Sequence, residues 1–343
     1  MPQKNTVLII SNSRDLHADL MAPLLAARGK QCFRLDLDAF PRDYQLSQRF
    51  LHGAPHGRLR HLPSGAQVDL DDVGAVWNRK PGTFAFASAD LAPQEQAYAR
   101  EESEQALFGL LYTLDCFWMN HPNALRGASW KGEQLQRAMC HGFRVPASIV
   151  TNDPDEARAF LDALPGEGIF KALSSPLLGA DKVEQADCIV TGLATTLVTP
   201  AMRECLDAVS ELACHFQEYV PKQYELRVTV IGDAVFAARI DSQDDPRTQV
   251  DCRDMSAEVR YSAVRLPAPV EQRCLDFVRS YGLAFGALDL IVTPEGEYVF
   301  LENNPCGQFL FIEQLVPEYR LFDAVADLLS EEHACRKQAT SQH

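Results

Sequence analysis

Asp289 interrupts the apolar run Ala287-Leu288-Asp289-Leu290-Ile291-Val292, and Glu302 and Asn304 close the apolar run that follows it. A carboxylate inside such a segment is costly unless it is paired or bound to a metal. The turn signal Thr293-Pro294-Glu295-Gly296 joins the two runs as a hairpin. A two-residue connection sets Asp289 opposite Phe300, and strand alternation then carries Glu302 and Asn304 onto the same face. Two carboxylates and an amide oxygen on one face are hard donors suited to Mg²⁺, which completes its shell with phosphate oxygens and water. The plain alternative is an exposed acidic sheet face, against which the apolar setting of Asp289 argues.

Cations that could meet a phosphate are few, since only eight of the 32 basic residues are lysine. Lys171 follows Gly168-Ile169-Phe170 and emerges from a strand, where it can act as a point charge on phosphate or simply snorkel at the surface. Lys131 begins a helix, a place where a cation opposes the helix dipole unless an anion lies nearby. Phe216-Gln217-Glu218-Tyr219-Val220-Pro221-Lys222 is a strand ending at proline, whose unpaired backbone groups can bond a purine or can form an ordinary sheet edge. Arg227 and Arg239 sit within the apolar strands that follow and require anionic partners. Neither G-x-x-x-x-G-K-[ST] nor G-x-G-x-x-G occurs, so a nucleotide would be clamped between sheets.

The elements that position these residues are readable from patterning. Val7 to Ile10 is a strand, Leu16 to Ala27 an amphipathic helix stopped by Gly29, and Cys32 to Leu37 and Ala75 to Trp77 are further strands, which predicts an open α/β layer. The stretch from Arg49 to Gly74, rich in Gly, Pro and His, reads as a meander or loop. Pro93 to Tyr112 has a helix-forming composition, and Asn120-His121-Pro122-Asn123 marks a turn and a first boundary. A short helix at Ser129 to Met139 precedes a strand at Ser148 to Thr151. Asp153-Pro154-Asp155-Glu156 opens a helix running to Leu164, and Ile169 to Lys171 is the answering strand. From Phe216 the chain reads as long antiparallel strands with a hairpin at Ile231-Gly232-Asp233.

Composition bounds the rest. Hydrophobic residues at 46% and charged residues at 23% provide a core and exclude wholesale disorder. A net charge of -15 argues against nucleic acid or an anionic membrane as partner. The ten cysteines show no metal-ligand spacing, which fits a reduced, cytoplasmic protein, and no apolar stretch approaches the ~20 residues needed to span a bilayer.

The order Lys131, Lys171, Gln217 to Val220, Glu225-Leu226-Arg227, Asp289, Glu302-Asn303-Asn304-Pro305 resembles the ATP-grasp superfamily. VWNRKPG (76–82), PASIVTNDPDEARAF (146–160), FQEYVPKQYELRVTVIGDAVFAARIDSQ (216–243) and GALDLIVTPEGEYVFLENNPCGQF (286–309) are similar to microviridin-type, or graspetide, peptide ligases. The resemblance covers nearly the whole chain. It implies an ATP-grasp fold of α/β and α+β parts: an N-terminal pre-ATP-grasp α/β domain (1–122), a central subdomain with the lysines (123–214), a C-terminal subdomain with the metal site (215–330) and a flexible tail (331–343). It further implies a carboxylate ligase that forms ADP. ATP would phosphorylate an Asp or Glu side chain of a ribosomal precursor peptide, and a Ser/Thr hydroxyl or Lys amine would close an ω-ester or ω-amide ring.

Carried over by position, Lys131 and Lys171 would neutralise phosphates, Gln217 to Val220 would read adenine and Lys222 would lie near the ribose. Asp289, Glu302 and Asn304 would hold Mg²⁺, while Arg227, with Lys171, would serve catalysis. Arg79, Arg239, Arg247 and Arg253 are candidates for the peptide's acidic core, and 184–212 for its leader. The resemblance favours ester closure and a homodimer. The sequence departs from the family pattern at Asn78-Arg79-Lys80-Pro81, at Asp251-Cys252-Arg253, at Asn303 and at Phe309. Two other readings stay open. One is an ATP-grasp ligase that adds an amino acid to a protein or small-molecule carboxylate, although Ala172 to Ala180 holds only Gly179 where such enzymes have a glycine-rich loop. The other is a nucleotide-binding module without catalysis.

Overall fold

The computed structural model describes residues 4–51, 54–174, 195–253 and 256–331. Two units are distinguished. One comprises Met1–Leu125, Leu283–Phe285 and Arg320–His343, and the other Arg126–Gly282 and Gly286–Tyr319.

In the first unit, the run Thr-Val-Leu-Ile-Ile-Ser forms β1 (Thr6–Ser11), which is buried throughout because parallel strands flank it on both sides. Helix α1 (Leu16–Ala27) starts where the Asp15 carboxylate accepts the His17 N–H, and the chain leaves it through Gly29 at φ 74°. Strand β2 (Gln31–Asp36) follows. The stretch that reads as a meander or loop lies in an antiparallel sheet of β3 (Tyr44–Leu51), β4 (Ala54–His61) and β5 (Gln67–Asp69). Strand β6 (Val73–Asn78), helix α2 (Pro93–Leu111) and strand β7 (Phe117–Met119) complete the α/β layer, whose sheet order is β2-β1-β6-β7. Leu8, Phe33, Leu35, Leu59, Val76 and Leu107 belong to its core. A Cβ on Gly57 would stand 2.6 Å from Leu110 Cδ1, so a larger residue there would have to push the Leu110 side chain aside.

Helix α3 (Pro122–Ala128) occupies the segment where the sequence suggests a turn, with Pro122 as its first residue. The second unit continues with α4 (Lys131–Cys140), β8 (Ser148–Thr151), α5 (Pro154–Ala163), β9 (Gly168–Lys171), β10 (Thr196–Leu197), α6 (Pro200–Glu204) and β11 (Cys214–Glu218). Asp153 caps α5 by accepting from Asp155 N–H and Glu156 N–H, as its sequence signature suggests. Strand β11 differs from expectation. It pairs with β8 and β9 in the sheet β10-β9-β11-β8, and Phe216 joins Ala157 and Leu161 in the core beneath α5. The strand that reads as the head of the C-terminal subdomain therefore completes the central sheet.

The remaining strands are β12 (Tyr224–Ile231), β13 (Ala234–Ile240), β14 (Tyr261–Val264), β15 (Phe285–Val292) and β16 (Tyr298–Asn304), in the order β14-β13-β12-β15-β16, with α7 (Ala268–Ser280) between β14 and β15. Helix α8 (Leu310–Leu315) follows. Helix α9 (Leu321–Ser330) belongs to the first unit, where Asp323 and Asp327 take the Arg28 guanidinium at 2.9 and 2.6 Å. Patterning did not reveal α7 to α9 or β14. Among the described residues no helix is long and apolar enough to cross a membrane. Of the expected leader region, 184–194 lies outside the described residues, as do 175–180 of the loop after β9 and 332–343 of the tail.

Candidate active site

The hairpin of β15 and β16 does not have the expected register. Leu290 pairs with Phe300, so regular alternation would have put Asp289 opposite Leu301 and its carboxylate on the face away from Glu302. Between Asp289 and Leu290 the register shifts: Leu301 is the extra residue of a β-bulge, and Asp289 pairs directly with Glu302. The connection is also longer than two residues, closed by Thr293 N–H to Glu297 O at 3.0 Å, with Gly296 at φ 85°. The convergence inferred from spacing is thus present, but the bulge produces it.

Asn304 Nδ2 lies 3.1 Å from Asp289 Oδ2 and 3.5 Å from Glu302 Oε1. Arg227 reaches from β12 with Nη1 at 3.0 Å from Asp289 Oδ1, and Lys131 Nζ stands 3.2 Å from Glu302 Oε2 while also donating to Ala172 O at 2.8 Å. Glu225, two residues before Arg227, shares its face and adds negative potential at Asp289. Burial, together with Glu302 and Glu225, lifts the Asp289 pKa to about 7 against the opposing pull of Arg227. Burial would raise Glu302 as well, but Lys131 and Lys171 outweigh it and hold that carboxyl at about 2. Burial also lowers the pKa of Lys171.

Helix α4 is locked to this strand by a buried amide. Gln134 Oε1 accepts Asn303 N–H at 2.8 Å, and its Nε2 donates to Asn303 O at 2.9 Å and to Ala128 O at 2.7 Å. The side chain imitates a neighbouring strand's peptide group, so the helix that carries Lys131 is held in register with the residues on either side of Asn303. Gln134 was not visible as a site residue, because a glutamine inside a helix carries no pattern signal.

The nucleotide candidates are distributed unevenly. Gln217 is buried and donates to Ser148 Oγ at 3.0 Å, while its Oε1 has no partner. The N–H groups of Glu218 and Tyr219 are already bonded to Ala147 O and Glu167 O, both at 2.8 Å. Among the described residues only the Val220 N–H of these three remains open to a base. Lys222 is paired with Glu225 Oε1 at 2.8 Å and lies 3.4 Å from Val250 O.

Of the four arginines suggested for substrate, Arg253 alone acts electrostatically on Glu302 and Lys171, and it is held by the Asp251 carboxylate at 2.5 and 2.7 Å. Arg239 pairs across from Leu226, which puts it on the face opposite Arg227. There it stacks 4.1 Å from the Tyr224 ring centroid and bonds Asp241 at 2.6 Å. Arg247 is bound to Asp245 at 2.6 Å. Arg79 is buried in the first unit with Asp15 at 3.3 Å.

Among the described residues no three His, Cys, Asp or Glu side chains form a ready metal cluster. The donor set here is two carboxylates and one amide, which suits an oxygen-loving divalent cation that keeps phosphate or water ligands. Turning the Asn304 amide about its last torsion would present its oxygen to that cation. Arg227 and Lys131 occupy the carboxylates otherwise, so the residues fit the group.

A family model of the MvdD pre-ATP-grasp domain matches residues 6–126. Curated proteins provide no sequence match. Among solved structures, the chain is similar to a RiPP-associated ATP-grasp ligase of Chryseobacterium gregarium in complex with ADP and a leader and core peptide, at 29% identity, 97% coverage of this chain, 98% of the other and a TM-score of 0.87. It is also similar to the macrocyclase MdnC of Microcystis aeruginosa MRC bound with precursor peptide MdnA, at 28% identity, 94% and 98% coverage and a TM-score of 0.82. Macrocyclase MdnB of the same organism matches at 29% identity, 95% and 99% coverage and a TM-score of 0.75. With its pre-ATP-grasp layer, its paired antiparallel sheets and this assembly of lysines and carboxylates, the chain is an ATP-grasp ligase that resembles the microviridin-type peptide ligases.

Proposed function

We propose that this ligase activates Asp or Glu side chains of a ribosomal precursor peptide with ATP and closes ω-ester or ω-amide macrocycles. The observation that carries the reading is the meeting, in one unit, of Asp289, Glu302 and Asn304 with Lys131 and Arg227, and it is supported by the peptide-bound relatives. Asp289, Glu302 and Asn304 would hold magnesium, which would supply charge neutralisation at the phosphates. The Val220 N–H would donate to the base, and Lys131 and Lys171 would hold the phosphate chain.

A peptide carboxylate oxygen attacks the γ-phosphorus and the bond to the β-phosphate oxygen breaks, giving ADP and an acyl phosphate. Arg227 would stabilise the charge that develops there. A hydroxyl oxygen or amine nitrogen then attacks the acyl carbon and releases phosphate and a proton. Arg253, whose charge acts on Glu302 and Lys171, would meet the acidic peptide.

The test supplies ATP, Mg²⁺ and a precursor with an acidic, Thr/Ser/Lys-rich core. ADP release that requires the peptide, with one water lost per ring by mass spectrometry, is the expected result. ADP release that requires a free amino acid, with mass gained by the acceptor, would instead establish the amino-acid ligase reading.

A further inference from the structure

His215 in β11 is 3% exposed, and neither of its ring nitrogens has a hydrogen-bond partner. It lies directly across from Lys171 in the register of β9 and β11, so the two side chains leave the same face of the sheet, with Gln217 two residues further along that face. Phe216 between them points the other way into the core. Buried polar atoms left bare in a folded protein point to a group that joins them later, and here Gln217 Oε1 is bare on the same face.

The electrostatic setting defines what the imidazole can do. Burial, with Lys171 and Lys131 beside it, holds the His215 pKa down to about 4, so near neutral pH the ring carries one N–H and one lone pair. Glu302 is engaged by Lys131.

We infer that His215 is a positioning residue of the nucleotide cleft: when nucleotide binds, its lone-pair nitrogen, bare in this structure, accepts a hydrogen bond from the Lys171 ammonium opposite it and turns the remaining ammonium hydrogens toward the nucleotide's phosphates. An uncharged acceptor suits this task better than a carboxylate. It orients the ammonium without cancelling the charge that must be spent on phosphate. The inference rests on the proposed function only in taking this face as the nucleotide site.

The test measures Mg·ADP binding by calorimetry, without peptide, for the parent, His215→Leu, His215→Gln, Lys171→Met and the double variant His215→Leu/Lys171→Met, with thermal melts to verify folding. Loss of one hydrogen bond to a charged group predicts about tenfold weaker ADP binding for His215→Leu. His215→Gln, which keeps an acceptor, should bind within about threefold of the parent. In the Lys171→Met background, His215→Leu should cause no further loss, because the effect is transmitted through the lysine. Unchanged ADP affinity in a folded His215→Leu overturns the inference, and so does a full tenfold loss that persists without Lys171. A second readout needs no apolar variant: ADP should shift the imidazole ¹⁵N resonances of His215 in the parent, assigned by their absence in His215→Gln, and an unmoved signal also overturns it. Since the probe is ADP alone, failure to find a peptide substrate would count against the proposed function and leave these factors readable.

Discussion

Asp289→Asn separates what this carboxylate does for function from what it does to stability. In the protein free of divalent cation its pKa rises from 3.8 to about 7. Each unit corresponds to about 1.4 kcal/mol, so keeping the group ionised at about pH 8 opposes folding by about 4 kcal/mol. The sign follows from the raised value. Below the unfolded pKa the group is protonated in both states and contributes nothing; the penalty grows between that pKa and about 7 and is complete above it. Asn keeps the shape and removes the charge, and because the pull of Arg227 is already contained in the raised value, a gain of the order of that same penalty, about 4 kcal/mol, is expected. Urea unfolding in EDTA should therefore show the variant more stable than the parent at about pH 8 and equal to it at about pH 4. Added Mg·ADP should stabilise the parent more than the variant, and turnover should be lost. A variant less stable than the parent at about pH 8 would show that the Arg227 pair outweighs burial, and would refute this account of the site.

Glu302 should behave in the opposite way. Its pKa is depressed from 4.5 to about 2, so its charge stabilises the fold above the unfolded value and that contribution disappears as pH falls toward about 2. Glu302→Gln should lower stability near neutral pH, with a gap to the parent that closes on acidification in urea titrations, and it should abolish Mg²⁺-dependent turnover. The Asn303 side chain is buried with neither polar atom partnered, in contact distance of the place where a Cβ on Gly286 would lie. Asn303→Leu is nearly equal in shape and should raise the unfolding free energy by about 1–3 kcal/mol; a decrease would mean that the amide has a partner in solution.

Local patterning determined much of what this protein is. The fully apolar β1, the Asp153-Pro154 helix start, the hairpin at Gly232 and the sequence order of lysines, Arg227 and oxygen donors are all set by side-chain chemistry within short windows, and they suffice for the ATP-grasp assignment. Tertiary structure decided what depends on partners distant in the chain. β11 completes the central sheet because Phe216 finds its core beneath α5. Asp289 meets Glu302 only because Leu301 bulges, and a one-residue change in register is invisible to alternation read along a single strand. The amide of Gln134 and the bare imidazole of His215 acquire meaning only when residues far apart in sequence close around them, since hydrogen bonding and burial are properties of the folded neighbourhood and leave no period in the chain.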